Sequence, residues 1–196
     1  MNLPNKITFS RIILTITIIG ILLFPFDAVG ISLPSLFINE AIVVEIKYLI
    51  VGVLFVVAAV SDIIDGKLAR KYNMETNLGR VMDDIADKLL IDLVLIVLST
   101  CGFISSTIAI VVIATDIITY ALKIGSNGNE IKCSKSVKKI KNIFMNIGIV
   151  LTLFYNLPFE LINFKVSDVI LMIASVLCIV MTLQYYETSK KYIKMQ

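Results

Sequence analysis

Histidine and tryptophan are both absent from the 196 residues, and only three cysteines and four prolines occur. Without histidine there is no HExxH zinc site and no histidine-based catalytic triad, so carboxylates remain as the natural proton acceptors. Cys101, Cys133 and Cys178 lie far apart with no CxxC spacing, which predicts free thiols that neither bind metal nor form a disulfide. Charged residues make up 17% of the chain against 58% hydrophobic ones, and the mean hydropathy is +0.92. A soluble domain does not have that balance; the solvent for most of this chain is lipid. No internal repeat or low-complexity linker divides it, so residues 1–196 are read as a single domain.

Crossing a bilayer takes roughly 17 to 25 apolar residues. Six runs approach that requirement: about 7–25, 43–61, 85–102, 104–122, 143–157 and 166–185. An even number of crossings puts both termini on one side. Of the 18 Lys and Arg residues, only Lys47 and Lys165 fall at the opposite ends of these runs, and the lysine-rich side of a membrane protein is the cytoplasmic one. The expected fold is therefore an all-α integral membrane protein of the cell membrane. It has six transmembrane helices, an N-terminal interfacial segment and both termini in the cytoplasm. A cleaved signal peptide is the rival reading of the first run, but no A-x-A site follows it. Lys6 and Arg11 read as interfacial anchors, as do Tyr185, Tyr186 and Tyr192 in the lysine-rich tail. Residues 26–42 have a loop composition with apolar admixture and are expected against the outer interface. The net charge of +3 suits topology and anionic lipid and implies no nucleic-acid partner.

Between the second and third runs the chain reads SDIIDGKLARKYNMETNLGRVMDDIADK. Asp62 and Asp65, three apart, share a face of one helix; Asp83 and Asp87, four apart, share a face of the next. A turn between those helices would gather four carboxylates. Like charges that close stay ionised only beside cations, and an all-oxygen cluster suits Mg²⁺ or Mn²⁺. Asp84 is rotated about 100° from Asp83 on a helix and is not expected to be a ligand.

The pattern D62-x2-D65-G66-x2-A69-R70-x8-G79-x3-D83-x3-D87 resembles the signature of the CDP-alcohol phosphatidyltransferases, membrane enzymes of phospholipid synthesis, and every signature position is filled. The resemblance implies transfer of a phosphatidyl group from CDP-diacylglycerol to an alcohol, with CMP leaving, at a site facing the cytoplasm. It implies two divalent cations held by Asp62, Asp65, Asp83 and Asp87, with Asp87 also the base. Gly66, Ala69, Arg70, Thr76 and Gly79 would hold the CDP-lipid, joined by Asn5 and Thr8, since MNLPNKIT resembles the N-x-x-T start of bacterial members. Members are commonly homodimers.

For the acceptor, K138-K139-I140-K141-N142 resembles the G-K-I-K-T run that opens the fifth helix of phosphatidylglycerophosphate synthases, a branch of that family. Lys139 and Lys141 match, whereas the glycine and threonine do not. Asp116 keeps the carboxylate of an Arg-Glu pair found in relatives, with Thr115 in place of the arginine. A phosphorylated acceptor needs cations beside an acidic metal site, so glycerol 3-phosphate is expected, with Lys139, Lys141 and Asp116 as its binding residues. Serine, inositol phosphate and phosphatidylglycerol are the alternative acceptors. Asp92 and Asp116 lie within apolar runs, where an ionisable residue is a functional candidate. A small cation-coupled transporter would also place aspartates there, yet it has no need of Gly66, Ala69, Arg70 and Gly79.

Overall fold

Each of the six apolar runs forms one helix in the computed structural model: α1 (Leu3–Leu23), α2 (Ile46–Lys71), α3 (Asn77–Thr100), α4 (Ser106–Gly125), α5 (Lys135–Leu153) and α6 (Val166–Ile193). The structure describes residues 3–31, 33–38, 42–71, 77–125, 134–157, 159–162 and 164–193. At 3–8, 62–71, 77–84 and the ends of several other elements it describes the backbone only.

Three expectations change. The N-terminal segment is not a separate interfacial piece, because α1 runs unbroken from Leu3. Pro4 sits in its first turn, where the missing N–H costs nothing, and no breaker follows. The 26–42 connection is not only loop: β1 (Ser35–Ile38) pairs antiparallel with β2 (Ile42–Glu45), in the register Ser35↔Glu45 and Phe37↔Val43. The all-α description therefore has one exception, and α2 starts at Ile46 rather than 43. Helices α3 and α5 begin at Asn77 and Lys135, well before their apolar runs. Charge ends an apolar run but not a helix, since Asp, Arg and Lys side chains leave the backbone hydrogen bonds intact.

Inward stripes follow helical spacing. Tyr48, Val51, Phe55 and Ala58 are buried on α2, Leu90, Val94 and Leu98 on α3, and Met145, Ile149 and Leu153 on α5. Helix α1 packs on α2 and α3, α3 on α4, α4 on α6, α6 on α5, and α5 on α2, which closes a ring around these stripes. The outer faces are apolar too, with Ile16, Val57, Ile96, Ile110, Ile147 and Val176 exposed. Water-soluble monomers do not expose apolar surface on this scale. By length and composition, Ser106–Lys123 and Val166–Lys190 are long and apolar enough to cross a membrane among the described residues. Helices α1 and α2 contribute shorter apolar stretches, Phe9–Leu23 and Ile46–Ser61.

The turns at one end are tightly specified. Gly102 takes φ +79°; its N–H donates to Ser99 O and that of Phe103 to Leu98 O, the Schellman closure that favours glycine. After α5, Tyr155 and Asn156 hold left-handed φ of 56° and 54°. Asn156 offsets that strain, donating from Nδ2 to Phe164 O at 2.8 Å and accepting the Ser167 N–H at 3.1 Å. Tyr48, Phe103 and Tyr155 meet edge to face at 4.7 to 5.8 Å, locking α2, the α3–α4 turn and the end of α5 together.

At Gly148 α5 packs tightly against α6: a Cβ there would lie 2.6 Å from Cδ2 and Cγ of Leu171. Gly148→Ala is expected to lower stability by about 1 to 3 kcal/mol through overpacking. Thermal unfolding of the purified protein checks this. Gly20→Ala, whose added methyl meets nothing within 4 Å, should not lower the midpoint; equal losses in both variants would contradict the packing.

Candidate active site

The inward stripes change chemistry part-way along each helix. On α1, Ile18 and Leu22 are continued toward the N-terminus by Arg11 and Thr15, all buried. On α4, Ile108 and Val112 give way to Thr115, Asp116 and Thr119. On α5, Lys141 precedes Met145 on the same face, and on α6 Cys178 is followed by Thr182 and Ser189. The polar portions are the N-terminal parts of α1 and α5 and the C-terminal parts of α4 and α6. In an up-and-down bundle these all fall at one end.

There the side chains form a row of alternating charge. Arg11 Nη1 donates to Asp87 Oδ1 at 2.6 Å, joining α1 to α3; the arginine side chain is 2% exposed and the aspartate 31%. A short charge-assisted bond is what a buried guanidinium requires. The next residue, Lys88, places its Nζ 3.4 Å from Asp116 O and 3.6 Å from Asp116 Oδ1. Lys141 donates to both oxygens of Asp116, at 3.2 and 3.4 Å. Lys141 is buried, and an ammonium so enclosed needs the Asp116 carboxylate as its partner. Beyond it, the Thr119 and Thr182 hydroxyls meet at 3.1 Å, and Thr182 also donates to Cys178 O at 2.9 Å. Asp92 lies within electrostatic reach of Asp116, Lys141 and Lys88. Its buried Oδ1 has no hydrogen-bond partner among the described residues.

The sequence-predicted residues distribute as follows. By backbone, Asp62, Asp65, Gly66, Ala69 and Arg70 occupy the last turns of α2, and Gly79, Asp83 and Asp84 the first turns of α3. Asn5 and Thr8 occupy the start of α1. Their side chains, and Thr76 altogether, lie outside the described residues, as does Cys133. Five residues separate α2 from α3, which keeps the two sets of aspartates near each other along the chain. Asp87, Asp116 and Lys141 stand in the charged row, whereas Lys139 is exposed. Among the described residues no group of three or more metal-ligating side chains is found, three of the four aspartates falling outside them.

Three residues differ from the sequence reading. Arg11 is not an interfacial anchor but an interior residue bound to Asp87; its spacing to Thr15, Ile18 and Leu22 marks it as lying on the buried stripe. Lys88, next to the aspartate motif, reaches across to Asp116. Tyr185 is likewise buried, with Lys123 Nζ 5.8 Å from its ring centroid, while Tyr186 is exposed. A heptad-like reading of the tail would have separated those two tyrosines.

Comparison with known proteins bears on this arrangement directly. The family model for CDP-alcohol phosphatidyltransferase matches residues 1–182. A Bacillus subtilis (strain 168) protein named CDP-diacylglycerol--glycerol-3-phosphate 3-phosphatidyltransferase is 34% identical over 98% of this chain and 97% of its own. One of the same name from Rickettsia felis is 28% identical over 97% of each chain. Another, from Mycoplasma genitalium, is 36% identical over 58% of this chain and 49% of its own. With the matched region running through the aspartate helices and the whole charged row, this chain belongs to the CDP-alcohol phosphatidyltransferase family and is an enzyme of that class.

Proposed function

We propose that the enzyme transfers the phosphatidyl group of CDP-diacylglycerol to glycerol 3-phosphate, giving phosphatidylglycerophosphate and CMP. The observation that carries this choice of acceptor is the 34% identity along nearly the full length of a protein named for that reaction. The buried Lys141 and its neighbour Lys88 support it, because two ammonium groups converge there on the single carboxylate of Asp116. An incoming phosphate group would exchange one anionic partner for another without stranding a buried cation.

In this reading an acceptor hydroxyl oxygen bonds to the phosphorus that carries the diacylglycerol. The bond from that phosphorus to the CMP oxygen breaks, and the hydroxyl proton passes to Asp87. Asp87 is about a third exposed while its partner Arg11 is enclosed, so the carboxylate has access to substrate and the guanidinium has none. Arg11 is thereby a positioning residue: it offsets the charge on Asp87 and fixes one of its oxygens. Arg70, with Asn5, Thr8 and Thr76, is assigned to the CDP-lipid, and Gly66, Ala69 and Gly79 allow its phosphates close to the backbone. Lys141 and Asp116 bind and orient the acceptor, with Lys139 at the entrance.

The donor set suits two Mg²⁺ or Mn²⁺ ions. Asp62, Asp65, Asp83 and Asp87 are all carboxylates, they lie on adjoining helix ends, and the chain has no histidine to favour zinc. Bound there, the ions would stabilise charge on the attacking and leaving oxygens. The apolar outer faces belong in a bilayer, with the charged row at the cytoplasmic end as the lysine distribution requires. Lipid substrate then reaches the site sideways.

Asp62→Asn and Asp83→Asn are each expected to abolish CMP release with Mg²⁺ or Mn²⁺ supplied, while thermal unfolding shows the fold retained. Near-normal turnover in either variant would refute the carboxylate-metal assignment. Lys141→Ala should raise KM for glycerol 3-phosphate by about ten- to a hundredfold, the worth of one hydrogen bond to a charged group, and KM for CDP-diacylglycerol far less. Because removing one partner of a buried pair also destabilises the fold, Lys141→Arg serves as the companion variant and should recover part of the acceptor affinity. Equal increases in both KM values would place Lys141 outside acceptor binding.

A further inference from the structure

At the end of the bundle opposite the charged row, the chain between α1 and α2 forms the β1–β2 hairpin.

The hairpin has two unlike faces. Val44 is fully buried and anchors one face on the bundle, although its cross-strand partner Leu36 is still 47% exposed. On the other face Phe37 and Val43 pair across the strands and are 71% and 51% exposed. Val29 and Ile31, just before the hairpin, are exposed as well. At the hairpin's base the chemistry turns polar: Glu45 pairs with Lys47 at 2.8 Å, its N–H donates to the Tyr155 hydroxyl at 3.1 Å, and Lys47 Nζ lies 4.9 Å from the Tyr48 ring centroid. The Glu45–Lys47 ion pair beside exposed apolar side chains puts the change from apolar to polar surface at this level.

We infer that the outward face of the β1–β2 hairpin is a lipid-binding surface, with Phe37 and Val43 inserted at the headgroup–acyl boundary of the outer leaflet. The inference rests on the membrane-spanning reading given above and adds depth and side chains to it. Its depth is limited from both directions. A two-stranded sheet has open edges whose N–H and C=O groups are not tolerated in hydrocarbon, so the hairpin lies at the boundary and not in the core. Standing in water, it would leave Phe37 and Val43 as an exposed apolar pair continuous with the apolar helix faces.

The absence of tryptophan from the chain makes the test specific, because one introduced indole is the only one present. Phe37→Trp and Val176→Trp, the latter on the outer face midway along α6, are each reconstituted in phosphatidylcholine–phosphatidylglycerol vesicles. The lipids are brominated either near the glycerol or deep in the acyl chains. The Phe37→Trp protein is expected to lose most of its fluorescence to shallow bromines, less to deep ones and little to aqueous acrylamide; Val176→Trp should respond to the deep bromines. Quenching of Phe37→Trp by acrylamide alone, with Val176→Trp still quenched by lipid, would overturn the hairpin surface and leave the membrane reading standing. Protection of Phe37→Trp from both quenchers would overturn it in favour of a protein contact with a second copy. Failure of lipid to quench either variant would overturn both readings. If Phe37→Trp does not fold, Val43→Trp, on the same face, gives the same discrimination.

Discussion

The buried ion pair between Arg11 and Asp87 is the interaction on which the charged end of this bundle depends. A guanidinium that is 2% exposed is retained only if its charge is met, and Asp87 meets it at 2.6 Å. The pair joins two helices 76 residues apart in sequence. Lys88, one residue on, continues the row to Asp116, and Asp116 to Lys141. Arg11 and Asp87 tie α1 to α3, and Lys88 and Lys141, both on Asp116, tie α3 and α5 to α4, so a shift of one of these helices would separate a buried charge from its partner. Such coupling is strong because removing one partner of a buried pair is far more costly than removing both.

A bundle built this way has two halves with different purposes. In the half nearer the hairpin, apolar stripes and the Tyr48–Phe103–Tyr155 cluster supply close packing. In the other half the same helix faces carry arginine, lysine, aspartate and threonine, enough to bind anionic substrates and manage a proton. The rigid half keeps the helix axes in place; the charged half uses that placement. Phosphatidyl transfer makes the arrangement intelligible, since one substrate is a lipid and the other, in the proposed reaction, is a small anion from water. A site at the polar ends of helices with apolar outer faces is accessible to both.

Much of this was legible in the sequence, for identifiable reasons. Helix number and order follow from the apolar runs, because a long apolar run can be buried only with its backbone polar groups paired, and a helix pairs them within the run. The family followed from Asp62 to Asp87, a spacing that has meaning only when two helix ends adjoin. Helix boundaries were less legible: hydropathy sees where charge begins, whereas α3 and α5 continue through eight further residues of polar sequence before their apolar runs. Residues 26–42 have a loop composition, and the apolar run beginning near 43 hides the second strand, because a two-stranded pairing depends on which side chains meet the bundle, here Val44, and local composition does not contain that. Arg11 was misread for a related reason. Near a helix end, a basic residue ordinarily faces headgroups, and only the position of Asp87 on a distant helix draws it inside. The positions of Lys139 and Lys141, exposed and buried respectively, agree with the rule that residues two apart on a helix do not share a face.

The central claim is that glycerol 3-phosphate accepts the phosphatidyl group. The direct measurement supplies purified protein in lipid with CDP-diacylglycerol, a divalent cation and one labelled acceptor at a time, and follows label in the lipid fraction together with CMP. The account predicts that labelled glycerol 3-phosphate enters lipid in equal amount to the CMP released, and that serine, inositol phosphate and phosphatidylglycerol give little product. Product from one of those alcohols, with none from glycerol 3-phosphate, would contradict it while leaving the family and the charged row intact.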